Sequence, residues 1–70
     1  MTPETLQFAG EALYGSRWQT DMAELLEIDS RRVRAWMAGE RSIPPGIWNE
    51  LAAELRRRGS RAIKLADQLS

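Results

Sequence analysis

The chain contains no cysteine and no histidine. The first absence excludes disulfides and thiolate metal sites; the second removes the commonest general base and the commonest metal ligand. Its carboxylates are scattered rather than convergent, so neither an enzyme nor a metal, cofactor or small-molecule ligand is expected. Alternation of polar and apolar residues never lasts more than a few positions and β-branched residues are scarce, which argues against a sheet. No apolar run approaches the roughly 20 residues of a membrane span. The opening MTPETLQ has neither the basic start nor the apolar stretch of a signal peptide, so a cytoplasmic protein without a membrane partner is expected. At 70 residues, 43% of them hydrophobic and 29% charged, the chain suits a single soluble domain near the lower limit for a core without staples. That size fits a small bacterial or phage gene product.

Excess charge is missing too: ten basic residues balance ten acidic ones. The balance hides segregation. Up to Asp29 the acids Glu4, Glu11, Asp21, Glu24, Glu27 and Asp29 meet only Arg17. From Ser30 to Arg41 the bases Arg31, Arg32, Arg34 and Arg41 meet only Glu40, and beyond Ser42 the bases again exceed the acids. A field divided in this way can turn one positive face toward a polyanion while the opposite face stays negative.

What is present throughout is helical spacing. Thr2-Pro3-Glu4 announces a first helix, with Thr2 as cap, Pro3 at the first helical position and Glu4 against the positive end of the dipole. Leu6, Ala9, Gly10 and Leu13 share a face, with Phe8 and Ala12 alongside, until Gly15. Ser16-Arg17-Trp18-Gln19 reads as a capping box that opens a second helix with Met22, Ala23, Leu25 and Leu26 on its buried side. Asp29 reads as the N-cap of a third, in which Val33, Trp36 and Met37 face one way and Arg31, Arg34, Ala35 and Ala38 the other. Gly39 is placed to leave that helix in a left-handed conformation. After the irregular ERSIPPG, a fourth helix begins near Pro45, with Ile47, Trp48, Leu51, Ala52 and Leu55 as its stripe, and is expected to stop at Gly59. Ser60 is then read as the cap of a short fifth helix over residues 60–70. The expected fold is therefore an all-α, compact five-helix domain spanning residues 1–70, with a central helix-turn-helix over residues 17–39.

A helix, tight turn and second helix with a basic outer face is the layout of a DNA-binding helix-turn-helix. The stretch QTDMAELLEIDSRRVRAWMAGERSIP, from Gln19 to Pro44, resembles the helix-turn-helix of the Cro/C1-type (XRE-like) repressors. Gln19 matches the start of the first motif helix, Ala23 the small residue where the helices cross and Ile28 the apolar turn residue. Val33 and Trp36 match the core positions of the recognition helix, and Gly39 its closing glycine. Small members of this type include phage repressors, antitoxins that repress their own operons and the anti-CRISPR-associated autorepressors. One position departs: the turn residue that is usually glycine is Glu27 here. Either Glu27 bears a left-handed backbone angle, which costs other residues roughly 1 kcal/mol or more, or the turn is built differently.

The resemblance implies that bases are read from Ser30, Arg31, Arg34 and Ala35 on a recognition helix over residues 30–38. An arginine at the position of Arg31 can bond guanine O6 and N7 in bidentate fashion, which discriminates by roughly 1–3 kcal/mol. Gln19 is similar to the family's phosphate-binding glutamine, and Arg17, Arg32, Arg41 and Ser42 are the further candidate phosphate contacts. The competing reading makes Arg31, Arg32 and Arg34 solvated helix residues paired with Glu27 or Glu24. Trp36 and Trp48 read as core. Trp18 reads as core or, alternatively, as a flat surface against the sugar-phosphate backbone. Arg56, Arg57 and Arg58 read as cations at a helix C-terminus.

Repressors of this type act as twofold dimers on inverted repeats with half-sites roughly 34 Å apart. Ile63, Leu65 and Leu69 are the candidate homodimer interface. The expected function is sequence-specific repression, with the chain controlling its own operon by occluding a promoter on double-stranded DNA. The alternative is an antitoxin or other protein-interaction module that neutralises a partner and binds DNA secondarily.

Overall fold

The computed structural model describes residues 2–70. Helix α1 spans Pro3–Tyr14, a 3₁₀ turn Gly15–Arg17, α2 Trp18–Leu26, α3 Ser30–Met37 and α4 Pro45–Leu69. The all-α expectation agrees with this order, and no strand occurs among the described residues. The five-helix count does not hold. The expected fourth and fifth helices are one continuous helix of 25 residues.

The reason lies at Gly59. A glycine ends a helix when it adopts a left-handed conformation, and the glycines with positive φ are Gly15 at 80° and Gly39 at 76°, not Gly59. An interior glycine costs a helix about 1 kcal/mol relative to alanine, which is little against neighbours as favourable as Leu55, Arg56, Arg57, Arg58, Arg61, Ala62 and Leu65. No proline follows to force a stop. Ser60 is accordingly an interior residue and not a cap.

The other boundaries follow local chemistry. The Thr5 amide donates to Thr2 Oγ1 at 3.2 Å, Pro3 occupies the first turn, and Gly15 closes α1. The expected Ser16 capping box is absent: Gly15 leads into a 3₁₀ turn, and α2 opens at Trp18 without a side-chain cap. At the other end of α2 the Glu27 amide donates to Glu24 O at 3.2 Å and the Ile28 amide to Ala23 O at 3.0 Å. Gly39 and Glu40 repeat that pattern on Trp36 O and Ala35 O at 3.2 and 3.0 Å. The two helices of the motif thus end in the same way, one on glycine and one on glutamate. Glu27 has φ 56° and ψ 43°, so it does bear the left-handed conformation.

The core consists of Leu6, Leu13, Trp18, Met22, Ala23, Val33, Trp36 and Leu51. Trp18 is core, lying flat on α1 where Gly10 has no side chain. A Cβ at Gly10 would stand 2.8 Å from its Cγ and nearer still to two other ring atoms. Trp48, by contrast, is 42% exposed. Only the first half of α4 joins this body. Glu54 is buried and takes Arg57 Nη1 at 3.0 Å and Arg58 Nε at 3.7 Å. Arg58 also donates to Leu13 O at 2.8 Å and lies 4.7 Å over the Tyr14 ring. Its charge therefore caps the C-terminus of α1 rather than that of its own helix. Every residue from Arg56 onward is exposed, and the projecting end of α4 gives the molecule extents of 45 × 22 × 21 Å. No helix among the described residues is long and apolar enough to cross a membrane.

Candidate nucleic-acid interface

Helix α3 buries Val33 and Trp36 and turns its arginines outward. Its first residue is set by Asp29, whose extended backbone precedes the helix and whose Oδ1 accepts the Arg31 amide at 2.8 Å. The other carboxylate oxygen, Oδ2, accepts from Arg31 Nη2 at 2.9 Å and Nε at 3.2 Å. One side chain thus caps the helix and holds the guanidinium beside it. These bonds, first the side-chain ones and then the backbone one, lower the Asp29 pKa from 3.8 to about 2. The pairing partner of Arg31 is therefore Asp29, and neither Glu27 nor Glu24.

This arrangement bears on base reading. A guanidinium has two edges that can make paired hydrogen bonds. Asp29 engages the Nε–Nη2 edge, while the Nη1–Nη2 edge points away, on a side chain that is 80% exposed. A carboxylate that fixes one edge of an exposed arginine orders the other in advance, which lowers the entropy lost when a planar acceptor pair binds.

Of the other expected base-contacting residues, Arg34 Nη1 donates to Ser30 Oγ at 3.4 Å, so these two share one flank. Arg34 is exposed, whereas Ser30 and Ala35 are half-buried. Arg32 occupies the opposite flank, with its guanidinium carbon 6.0 Å from the Trp36 ring centre.

Four of the five expected phosphate contacts fall into two open clefts. One, of about 250 Å³, is lined by Ser16, Arg17, Gln19 and Thr20 around the start of α2. The other, of about 280 Å³, is lined by Pro3, Trp36, Gly39, Arg41, Ser42 and Ile43 behind the end of α3. Arg17 and Gln19 are therefore together, as are Arg41 and Ser42, while Arg32 lines neither cleft. Thr20 was missed by sequence reasoning, and Ser16 was read only as a cap. The Asp29–Arg31 pair was missed as well, although an N-cap aspartate two residues before an arginine was a legible signal. Ile63, Leu65 and Leu69 are 65%, 56% and 80% exposed on the projecting end of α4, away from α3. No family model matches the chain, nor does any curated protein or solved structure.

Proposed function

We propose that this chain is a sequence-specific DNA-binding repressor that inserts α3 into the major groove and acts as a homodimer on an inverted repeat. The observation that carries the reading is Arg31, exposed at the first turn of α3 and held on one edge by Asp29. Arg31 reads a guanine with its free edge, and Arg34 and Ser30 read the adjoining position. Ala35 lets the helix approach closely. The Arg17–Gln19 cleft and the Arg41–Ser42 cleft grip phosphates on either side and set the register. Occluding a promoter, its own included, is the simplest repression mechanism this surface supports.

The test is binding to the duplex just upstream of the coding sequence and to a scrambled duplex of equal length, each at two salt concentrations. Selective binding that persists at the higher salt is expected, together with loss of discrimination at one base pair per half-site in Arg31→Ala. Gln19→Ala and Arg41→Ala should weaken both duplexes alike. Equal, salt-labile binding to both duplexes by the unaltered protein would sink the reading.

A second reading, a module that neutralises a partner protein, is favoured by the exposed residues Ile63, Leu65 and Leu69. It requires that a triple substitution of these residues to serine abolish capture of that protein while operator affinity per dimer is unchanged.

A further inference from the structure

Two apolar surfaces of this molecule have nothing packed on them. On α1, Phe8 is 75% exposed, at the centre of the face opposite buried Leu6, Gly10 and Leu13. Glu4 and Glu11 lie one turn to either side of it, and α1 contains no basic residue. On the projecting end of α4, Leu65 and Leu69 share a stripe with Ala62, and Arg61 and Lys64 both lie along one side of that stripe. The two surfaces are thus complementary twice over, apolar to apolar and acid to base. Among the described residues, none of Glu4, Glu11, Arg61 and Lys64 takes part in an ion pair.

Within one copy they do not meet, because α4 carries its end away from the body. They also match in length. Residues 59–69 extend about 16 Å at the rise of an α-helix, and the 12 residues of α1 about 18 Å.

We propose that the chain dimerises by reciprocal arm exchange, in which residues 59–69 of each copy lie across the outer face of α1 in the other. Leu65 and Leu69 cover Phe8 of the partner subunit, and Arg61 and Lys64 face its two glutamates. Each copy gives one arm and receives one, so the contact closes as a twofold pair and leaves no surface to propagate. The obvious rival, two arms packed in parallel on each other, sets Arg61 and Lys64 against their own copies and buries like charge beside like. Phe8 would also stay bare. The proposal rests on the dimeric reading above and specifies its interface.

Because the chain has no cysteine, introduced thiols report contacts without background. Phe8→Cys and Leu65→Cys are made in separate chains, both at exposed positions that leave the fold intact. The chains are oxidised mildly, alone and mixed, without DNA. The expected result is a covalent dimer in the mixture and little in either chain alone. A Leu65→Cys chain that cross-links to itself would show arms paired with each other and overturn the proposal, as would the absence of any covalent dimer. Independently, Glu4→Lys with Glu11→Lys should raise the dimer dissociation constant about tenfold or more, and adding Arg61→Glu with Lys64→Glu should restore it. Failure of that rescue would count equally against arm exchange. Since neither measurement contains DNA, arm exchange and operator recognition can fail separately.

Discussion

Glu27 allows the turn of the motif to be tested as a balance of two backbone terms. Its φ of 56° and ψ of 43° lie in the left-handed region, where a side chain's Cβ crowds the following carbonyl at a cost of roughly 1–2 kcal/mol. Glycine escapes that cost but loses more freedom on folding, which returns roughly 0.4–1 kcal/mol. Glu27→Gly should therefore stabilise the fold by about 0.5–1 kcal/mol, or about 2–8 °C in Tm for a domain of this size. Glutamate is also charged, so Glu27→Ala serves as the control: it removes the carboxylate and keeps the strained angle. Thermal melts followed by circular dichroism at pH 7 should show a gain for glycine and little change for alanine. Equal gains from both would assign the effect to charge among the neighbouring acids and refute the strain argument. No gain from either would mean that the angle costs glutamate no more than the freedom glycine loses on folding, and would refute the strain argument as well.

Three further outcomes follow from named contacts. Gly10→Ala drives a methyl into the Trp18 ring and should destabilise by about 1–3 kcal/mol or more; an unchanged Tm would mean that the indole can shift freely. Gly59→Ala meets no atom within 4 Å and should strengthen α4 by about 1 kcal/mol, seen as deeper ellipticity at 222 nm; a loss of ellipticity would show that the helix needs a break there. Asp29→Asn keeps a cap acceptor but removes the ion pair with Arg31. The folded pKa of Asp29 is depressed from 3.8 to about 2, so its contribution is fully present above the unfolded value and is lost as pH falls through the folded one. The Tm difference between native protein and variant should be constant at neutral pH and close between about pH 4 and pH 2; a difference that persists at the acid end would exclude the pair as its source.

What could be read from the residues divides by how local the deciding interaction is. The Thr2 and Asp29 caps, the end of α1 at Gly15, the left-handed Gly39, and the inward Val33 and Trp36 each depend on partners a few positions away, and each was legible. Gly59 was not, because whether a glycine stops a helix depends on the summed preference of the residues beyond it and on the lack of a competing turn. Ser16 failed as a cap because it lies inside the 3₁₀ turn that Gly15, at φ 80° and ψ −152°, opens, and α2 starts only at Trp18. Trp48 shares the α4 stripe with Leu51 and Leu55, yet Leu51 alone of the three is fully buried: periodicity gives the face of a helix but not the angle at which that face meets the core. In the candidate site, the outward arginines were legible from the motif, and so were Arg17, Gln19, Arg41 and Ser42 in the clefts, whereas the parts of Ser16 and Thr20 were not. The spacing of Asp29 and Arg31 signals their pairing, but which edge of the guanidinium the second carboxylate oxygen holds depends on side-chain geometry that the sequence does not carry.

Charge segregation ties the two proposals to one measurable quantity. Under the two proposals, the acids of α1 and the bases of the arm are used between copies and the arginines of α3 between protein and DNA, so salt should weaken both equilibria. Below the dimer dissociation constant, DNA binding is coupled to assembly, and the dependence of log affinity on log salt contains the arm term in addition to counterion release from phosphates. Well above it, only the phosphate term is left, about 0.9 per phosphate neutralised. The slope should therefore flatten as protein concentration rises, and Glu4→Lys with Glu11→Lys should move that crossover to higher concentration without changing the limiting slope. A slope independent of concentration would mean that the segregated charge does not couple assembly to DNA binding.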